Sequence, residues 1–260
     1  MKVLELKHFL DKKVDFYNQP SFIKADPISI PHLFTKQADI EIAAFFAAIF
    51  SWGNRTTIIN KSTELMQLMD MQPHQFIVHH SAKDLKQLLL FKHRTFTADD
   101  LYYFVAFFHE HFKIHNSLEI AFFPKKGMTV AEGLNQFKTY FFSEDHLKRT
   151  EKHISSPLQN SSCKRLNMFL RWMVRKDAAG VDFGLWKNIT PAQLICPLDV
   201  HVARVARQYG LLHRKQNDWQ AAIELTSNLC KLDKHDPVKY DFALFGTGVM
   251  ENKKEWSKPN

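Results

Sequence analysis

Residues 40–50 are apolar on almost every side of a helical wheel, and this dictates the kind of fold that can hold them. A helix with one apolar stripe can lie on a surface, but one that is apolar all round must be enclosed by other elements. The run is far shorter than the ~20 residues that span a bilayer, so the enclosure has to come from the protein itself. Asp39 is placed to cap this helix. Ser51-Trp52-Gly53-Asn54-Arg55-Thr56 ends it, with Gly53 free to take the left-handed conformation and present the polar residues after it.

Helical periodicity runs through nearly all the rest of the chain and no sustained alternation marks a half-buried strand, so the expected fold is all-α. Apolar spacing predicts helices over residues 59–69, 82–90 and 98–112, with loops at Met71-Gln72-Pro73 and between Phe123 and Gly127. Residues 143–162 turn polar, and 153–160 read as an exposed connection. The helix that follows opens at Lys164. Leu166, Phe169, Leu170, Met173 and Val174 share one of its faces, while Lys164, Asn167, Arg171 and Arg175 share a strongly basic one. Further helices are expected from Asp199 to about Tyr209, from Asn217 or Asp218, and from Asp236-Pro237 through Leu244, where Gly246-Thr247-Gly248 should stop the last. The tail, residues 253–260, should fray. A chain of 260 residues can bury a sizeable core, and two lobes within one unit are expected, with a groove between them. Residues 39–176 would form a helical bundle ending in a hairpin, and residues 1–38 with 177–260 the second lobe.

The formal charge of +8 points to an anionic partner, nucleic acid before an acidic membrane surface. With 8 glycines and neither G-x-G-x-x-G nor G-x-x-x-x-G-K-[ST], a dinucleotide fold and a P-loop are disfavoured. Cys163, Cys196 and Cys230 never form C-x-x-C, which is wrong for a zinc ribbon and suits a reduced, cytoplasmic setting. The charged start, Met1 to His8, lacks the apolar core of a signal peptide. His111 and His115 have metal-ligand spacing near His109, but Glu110 is misplaced for H-E-x-x-H, and no metal is expected. Trp52, Trp172 and Trp186 are read as core residues rather than base-stacking platforms.

Two residues carry the chemistry. Asp199 follows an apolar approach bounded by Pro197 and stands at a helix N-cap, where the helix dipole favours its ionised form. Lys164 opens the basic helix directly after Ser161-Ser162-Cys163, also at an N-terminus. A carboxylate stabilises an oxocarbenium-like sugar and a neutral amine attacks its anomeric carbon, which together break a glycosidic bond once the base is flipped from its duplex. Taken singly, Asp199 fits a structural cap, Lys164 a solvated helix start, and Arg165, Arg171 and Arg175 a solvated face.

Asp199-Val200-His201-Val202-Ala203-Arg204-Val205 resembles the D-x-H-[VI]-x-R-V signature of the helix-hairpin-helix DNA glycosylase superfamily. The resemblance implies a catalytic aspartate at Asp199 and, at Lys164, the Schiff-base lysine of bifunctional members. Residues 40–56 resemble the buried helix and loop that fill the gap left by a flipped base, with Asn54 and Arg55 in that place, and residues 236–248 resemble the closing helix and turn. Within the superfamily the chain resembles an uncharacterised bacterial family, domain of unknown function 2400, through residues 163–175 and 236–244. The resemblance therefore implies a two-lobed helix-hairpin-helix fold acting as a monomer, away from membranes, on damaged double-stranded DNA. Contacts to DNA would come from Asn54, Arg55, Ser161, Ser162, Arg165, Arg171, Arg175, His201 and Arg204. No cofactor is expected, and the superfamily's iron–sulfur cysteine pattern is absent, so no cluster is implied.

Two departures matter. The superfamily's L-P-G-[VI]-G-x-K hairpin uses glycines to let backbone N–H groups approach a phosphate, whereas Leu158-Gln159-Asn160-Ser161-Ser162-Cys163-Lys164 has neither glycine. The long interval from Lys164 to Asp199, which holds Val181-Asp182-Phe183-Gly184-Leu185-Trp186, resembles the archaeal 8-oxoguanine glycosylase branch and points to an oxidised purine. The expected function is a DNA-repair N-glycosylase, with or without lyase activity at the abasic site. The alternatives are a non-catalytic nucleic-acid-binding protein on the same scaffold, which the missing glycines favour, and an RNA-directed enzyme or adaptor.

Overall fold

The structure is a computed structural model and describes residues 3–251, so the 253–260 tail lies outside the described residues. In chain order the helices are α1 (Val3–Tyr17), α2 (Pro20–Ile23), α3 (Gln37–Phe50), α4 (Arg55–Leu68), α5 (Pro73–His79), α6 (Ala82–Lys86) and α7 (Ala98–Ile114). They continue with α8 (Glu119–Phe122), α9 (Val130–Phe141), α10 (Lys164–Val174), α11 (Val200–Gln208), α12 (Trp219–Cys230) and α13 (Tyr240–Gly246). Among the described residues there is no strand, only isolated bridges at His93–Phe96 and Ser161–Asp218, so the chain is all-α. No described helix is long and apolar enough to cross a membrane.

The chain divides into two compact units, Ile23–Ser155 and Met1–Phe22 with Ser156–Asn260. The division falls before the hairpin rather than at residue 176. The hairpin and α10 therefore fold with the chain ends, in the same unit as Asp199.

In the inner unit, α3 is buried from Asp39 through Phe50. Phe45 meets Phe108 edge to face at 5.3 Å and Phe137 at 5.6 Å, and Phe122 stacks on Phe137 at 3.8 Å, contacts that add to area burial. Asp39 does not cap this helix. The helix starts at Gln37, and the Asp39 carboxylate accepts instead from the His74 backbone N–H (2.9 Å), satisfying a free donor at the start of α5. Glu41, 0 % exposed, is tolerated because its carboxylate accepts from Ser117 Oγ (2.6 Å), the Leu118 backbone N–H (2.8 Å) and Gln37 Nε2 (2.9 Å). Glu41→Ala strands the Leu118 donor and is expected to lower the unit's stability by about 1–3 kcal/mol, read from the urea midpoint at constant slope.

Of residues 153–160, expected as an exposed connection, only Leu158, Gln159 and Asn160 are exposed. His153, Ile154 and Ser156 are buried, and 3-10 turns occupy Lys148–His153 and Pro157–Gln159. The polar residues here serve a buried carboxylate: Asp100 receives Thr150 Oγ1 (2.7 Å) and lies 3.2 Å from Arg149 and 3.4 Å from His153.

In the terminal unit α13 packs against α1 and α11, and Tyr240 donates its hydroxyl proton to Asp11 at 2.9 Å. The expected stop at Gly246-Thr247-Gly248 does not occur, and the chain runs on through a π turn, Thr247–Glu251. A Cβ on Gly246 would overlap the Tyr17 ring, and one on Gly248 would stand 3.1 Å from the His201 carbonyl oxygen. These glycines allow close packing rather than breaking the helix. Asp236 likewise makes no cap hydrogen bond; its carboxylate turns to Arg175.

Candidate functional site

The hairpin replaces its missing glycines with side chains in strained positions. Asn160 takes φ +53°, the left-handed region that asparagine tolerates better than most residues, at the first vacant glycine position. The second left-handed step falls at Cys163, φ +50°, one residue beyond the other vacant position. The turn is pinned to the start of α12: Ser161 bridges Asp218, Asn160 Nδ2 donates to the Asp218 carboxylate (3.3 Å), and the Trp219 N–H donates to the Asn160 carbonyl (3.3 Å). Ser162 Oγ donates to the carbonyl of Leu198 at 3.3 Å, the residue just before Asp199. Through this contact the start of α10 is tied to the start of α11.

Asp199 is the N-cap of α11, its Oδ1 accepting from the His201 and Val202 backbone N–H groups at 2.9 Å each. Its Oδ2 has no hydrogen-bond partner among the described residues, and neither has the amine of Lys164, which opens α10. Both charges act on one buried carboxyl, Asp241 of α13. Burial raises Asp241 to about 6, Arg171 opposes that rise, Asp199 adds to it and Lys164 counteracts it. The two helix starts thus hold an unpaired amine and an unpaired carboxylate oxygen within electrostatic reach of the same group.

The basic face expected on α10 is not a surface. Arg171 and Arg175 are 4 % and 2 % exposed and lie in an acidic network. Arg171 pairs with Asp241 and, at 3.3 Å, with Asp182; Arg175 pairs with Asp177 (2.6 Å), Asp182 (3.1 Å) and Asp236 (2.8 Å). The Phe242 ring lies 4.3 Å and 5.4 Å from the two guanidinium carbons. These arginines are not available to phosphates, because burying them requires the carboxylates that already surround them. The interval between Lys164 and Asp199 supplies Asp182 and also ends α10, the Phe183 and Trp186 N–H groups donating to the carbonyls of Trp172 (2.8 Å) and Met173 (2.9 Å).

The remaining candidates are scattered. Arg165 is partly buried, and burial lowers it to about 10. His201 is exposed, whereas Arg204 donates to the Gly248 carbonyl at 2.9 Å and so holds the π turn. Asn54 and Arg55 belong to the inner unit: Asn54 is exposed and caps α4 by accepting from the Thr57 N–H (3.2 Å), and Arg55 reaches the Ala25 carbonyl (3.3 Å). The three cysteines form no disulfide, and Cys163 and Cys196 are buried. Among the described residues no group of three or more His, Cys, Asp and Glu is arranged to hold a metal.

His111 is structural, with its ring nitrogens at 3.2 Å from the Tyr140 hydroxyl and 3.0 Å from the Ser117 carbonyl. Burial pulls it from its ordinary 6.5 to about 4. The unfolded chain therefore binds the proton first, and stability present above pH 6.5 is lost as the pH falls towards 4, by up to roughly 3 kcal/mol. Urea midpoints at neutral and mildly acidic pH should show this loss, and His111→Gln should flatten it.

Asp241 and Asp182 escape a reading of the sequence alone. The one local signal was a carboxylate inside the apolar run from Tyr240 to Leu244. A family model described as protein of unknown function (DUF2400) matches residues 26–250. No curated protein and no solved structure matches.

Proposed function

We propose, for a chain that belongs to the DUF2400 family of proteins of unknown function, that it is a DNA-repair N-glycosylase on a helix-hairpin-helix scaffold. One observation carries this reading: the unpaired Oδ2 of Asp199 and the unpaired amine of Lys164 stand at two helix starts joined by the Ser162–Leu198 hydrogen bond. The substrate is a damaged base flipped from duplex DNA, with an oxidised purine first in order. The C–N glycosidic bond breaks with its electron pair leaving on the base, and the Asp199 carboxylate stabilises the sugar cation that develops. Water, or the neutral amine of Lys164, forms the new bond to the anomeric carbon and gives up a proton, which the departing base takes up; attack by the amine leads through a Schiff base to strand cleavage.

A second reading, a binder without chemistry, draws on the hairpin. The Cys163 N–H, one of the amides that would face a phosphate, is already donated to Ser161 Oγ at 3.2 Å. Base release separates the two. Duplexes carrying single oxidised, alkylated or deaminated bases should lose the base from at least one lesion, and duplex binding without release on any lesion decides for the binder.

A further inference from the structure

His93 and Phe96 exchange backbone hydrogen bonds of 2.9 Å each, closing a two-residue turn with Arg94 and Thr95 at its tip. Arg94 takes φ +55° at the first central position, where such turns favour glycine. The turn therefore holds a long cation where a smaller residue would fold with less strain, and strain of this kind gathers at functional positions. The Arg94 guanidinium lies 4.4 Å from the Trp52 ring centroid, and Trp52 in turn meets His93 edge-on at 5.8 Å. Gly53, at φ +106°, completes the seat, because a Cβ there would overlap the same guanidinium. Arg94 and its neighbour Lys92 are exposed, and no carboxylate pairs with Arg94 among the described residues. Arg149 reaches the same turn through the Thr95 carbonyl (3.0 Å) and Thr97 Oγ1 (2.9 Å). Asn54, directly after Gly53, is exposed at the start of α4.

We propose that Arg94, seated on Trp52 and Gly53, is a phosphate contact for duplex DNA on the inner unit. A guanidinium seated over an indole can still offer N–H groups to phosphate oxygens, and the seat has already removed much of the side-chain freedom that binding would otherwise cost. The contact rests on the reading of the chain as a DNA-binding protein, and not on the chemistry of Lys164 and Asp199.

The test is fluorescence anisotropy with a short duplex over a series of salt concentrations, comparing the wild-type protein with Arg94→Gly. Glycine removes the cation and suits the backbone of the turn, so misfolding does not mask the result. The variant should bind roughly tenfold more weakly at about 0.1 M salt, and its slope of log K against log salt should be shallower by about 0.9, the share of one phosphate. Trp52→Leu should weaken binding while leaving the slope in place, because the charge stays and only its seat is lost. Unchanged affinity and slope in Arg94→Gly overturn the contact, as does a wild-type protein that binds no duplex. Weakened binding by Arg94→Gly in a protein that releases no base supports the contact while refuting the glycosylase. Base release with unchanged duplex affinity in Arg94→Gly does the reverse.

Discussion

Arg171→Ala should cost the terminal unit about 3–5 kcal/mol, because it leaves the Asp241 and Asp182 carboxylates buried with one cation fewer. The same substitution on a solvated basic face would cost little. Amide exchange of α10 and α13 in urea reads the loss within the unit concerned, and a cost below about 1 kcal/mol would return Arg171 to the surface role that its spacing suggested. The pH dependence has a definite sign. Asp241 already sits at about 6, above the unfolded value near 3.8, so its contribution is lost as the pH rises through 6. Without Arg171 the carboxyl rises further, and mild acidification should restore part of the lost stability by neutralising it. Replacing Arg171 and Asp241 together by leucines should be less damaging than Arg171→Ala alone, since a buried pair exchanged for apolar groups strands one charge fewer.

The second large effect concerns chemistry. Asp199→Asn keeps the α11 cap, because asparagine accepts from the same His201 and Val202 N–H groups about as well as aspartate. Stability should change by no more than about 0.5 kcal/mol, while base release should fall by roughly 10²–10³-fold as the charge facing the sugar cation is removed. Lys164→Ala discriminates further. If the amine is the nucleophile, base release and strand cleavage fall together; if water is the nucleophile, the wild-type protein releases the base without cutting the strand and base release survives the substitution. A large loss of stability in Asp199→Asn, or release that continues at the wild-type rate, would assign Asp199 to capping alone.

The sequence was most readable where structure is local. The start of α10 at Lys164, the Asp199 cap and the burial of residues 40–50 follow from periodicity and capping chemistry within a few residues of each side chain. The helix at residues 130–141 had two readable local signals, the Thr129 and Glu132 capping box and the helical spacing of Val130, Leu134, Phe137 and Phe141. What escaped was decided by partners distant in the chain. Arg171 lies 70 residues from Asp241, so a basic helical face and a buried ion network look alike in one dimension. Asp39 caps a helix 35 residues away instead of its own, and Gly246 makes room for Tyr17 instead of ending a helix. In the hairpin, Asn160 takes the left-handed conformation in place of the first glycine, but the shift of the second such step to Cys163 has no signature in residue type.

The most direct test of a shared Lys164–Asp199 site is borohydride trapping on duplexes carrying a panel of base lesions, with the modified peptide identified by mass spectrometry. A covalent protein–DNA adduct is expected on at least one lesion, mapped to Lys164, absent in Lys164→Ala and strongly reduced in Asp199→Asn. No adduct and no base release on any lesion, or an adduct mapped to another lysine and unaffected by Asp199→Asn, would contradict the shared site.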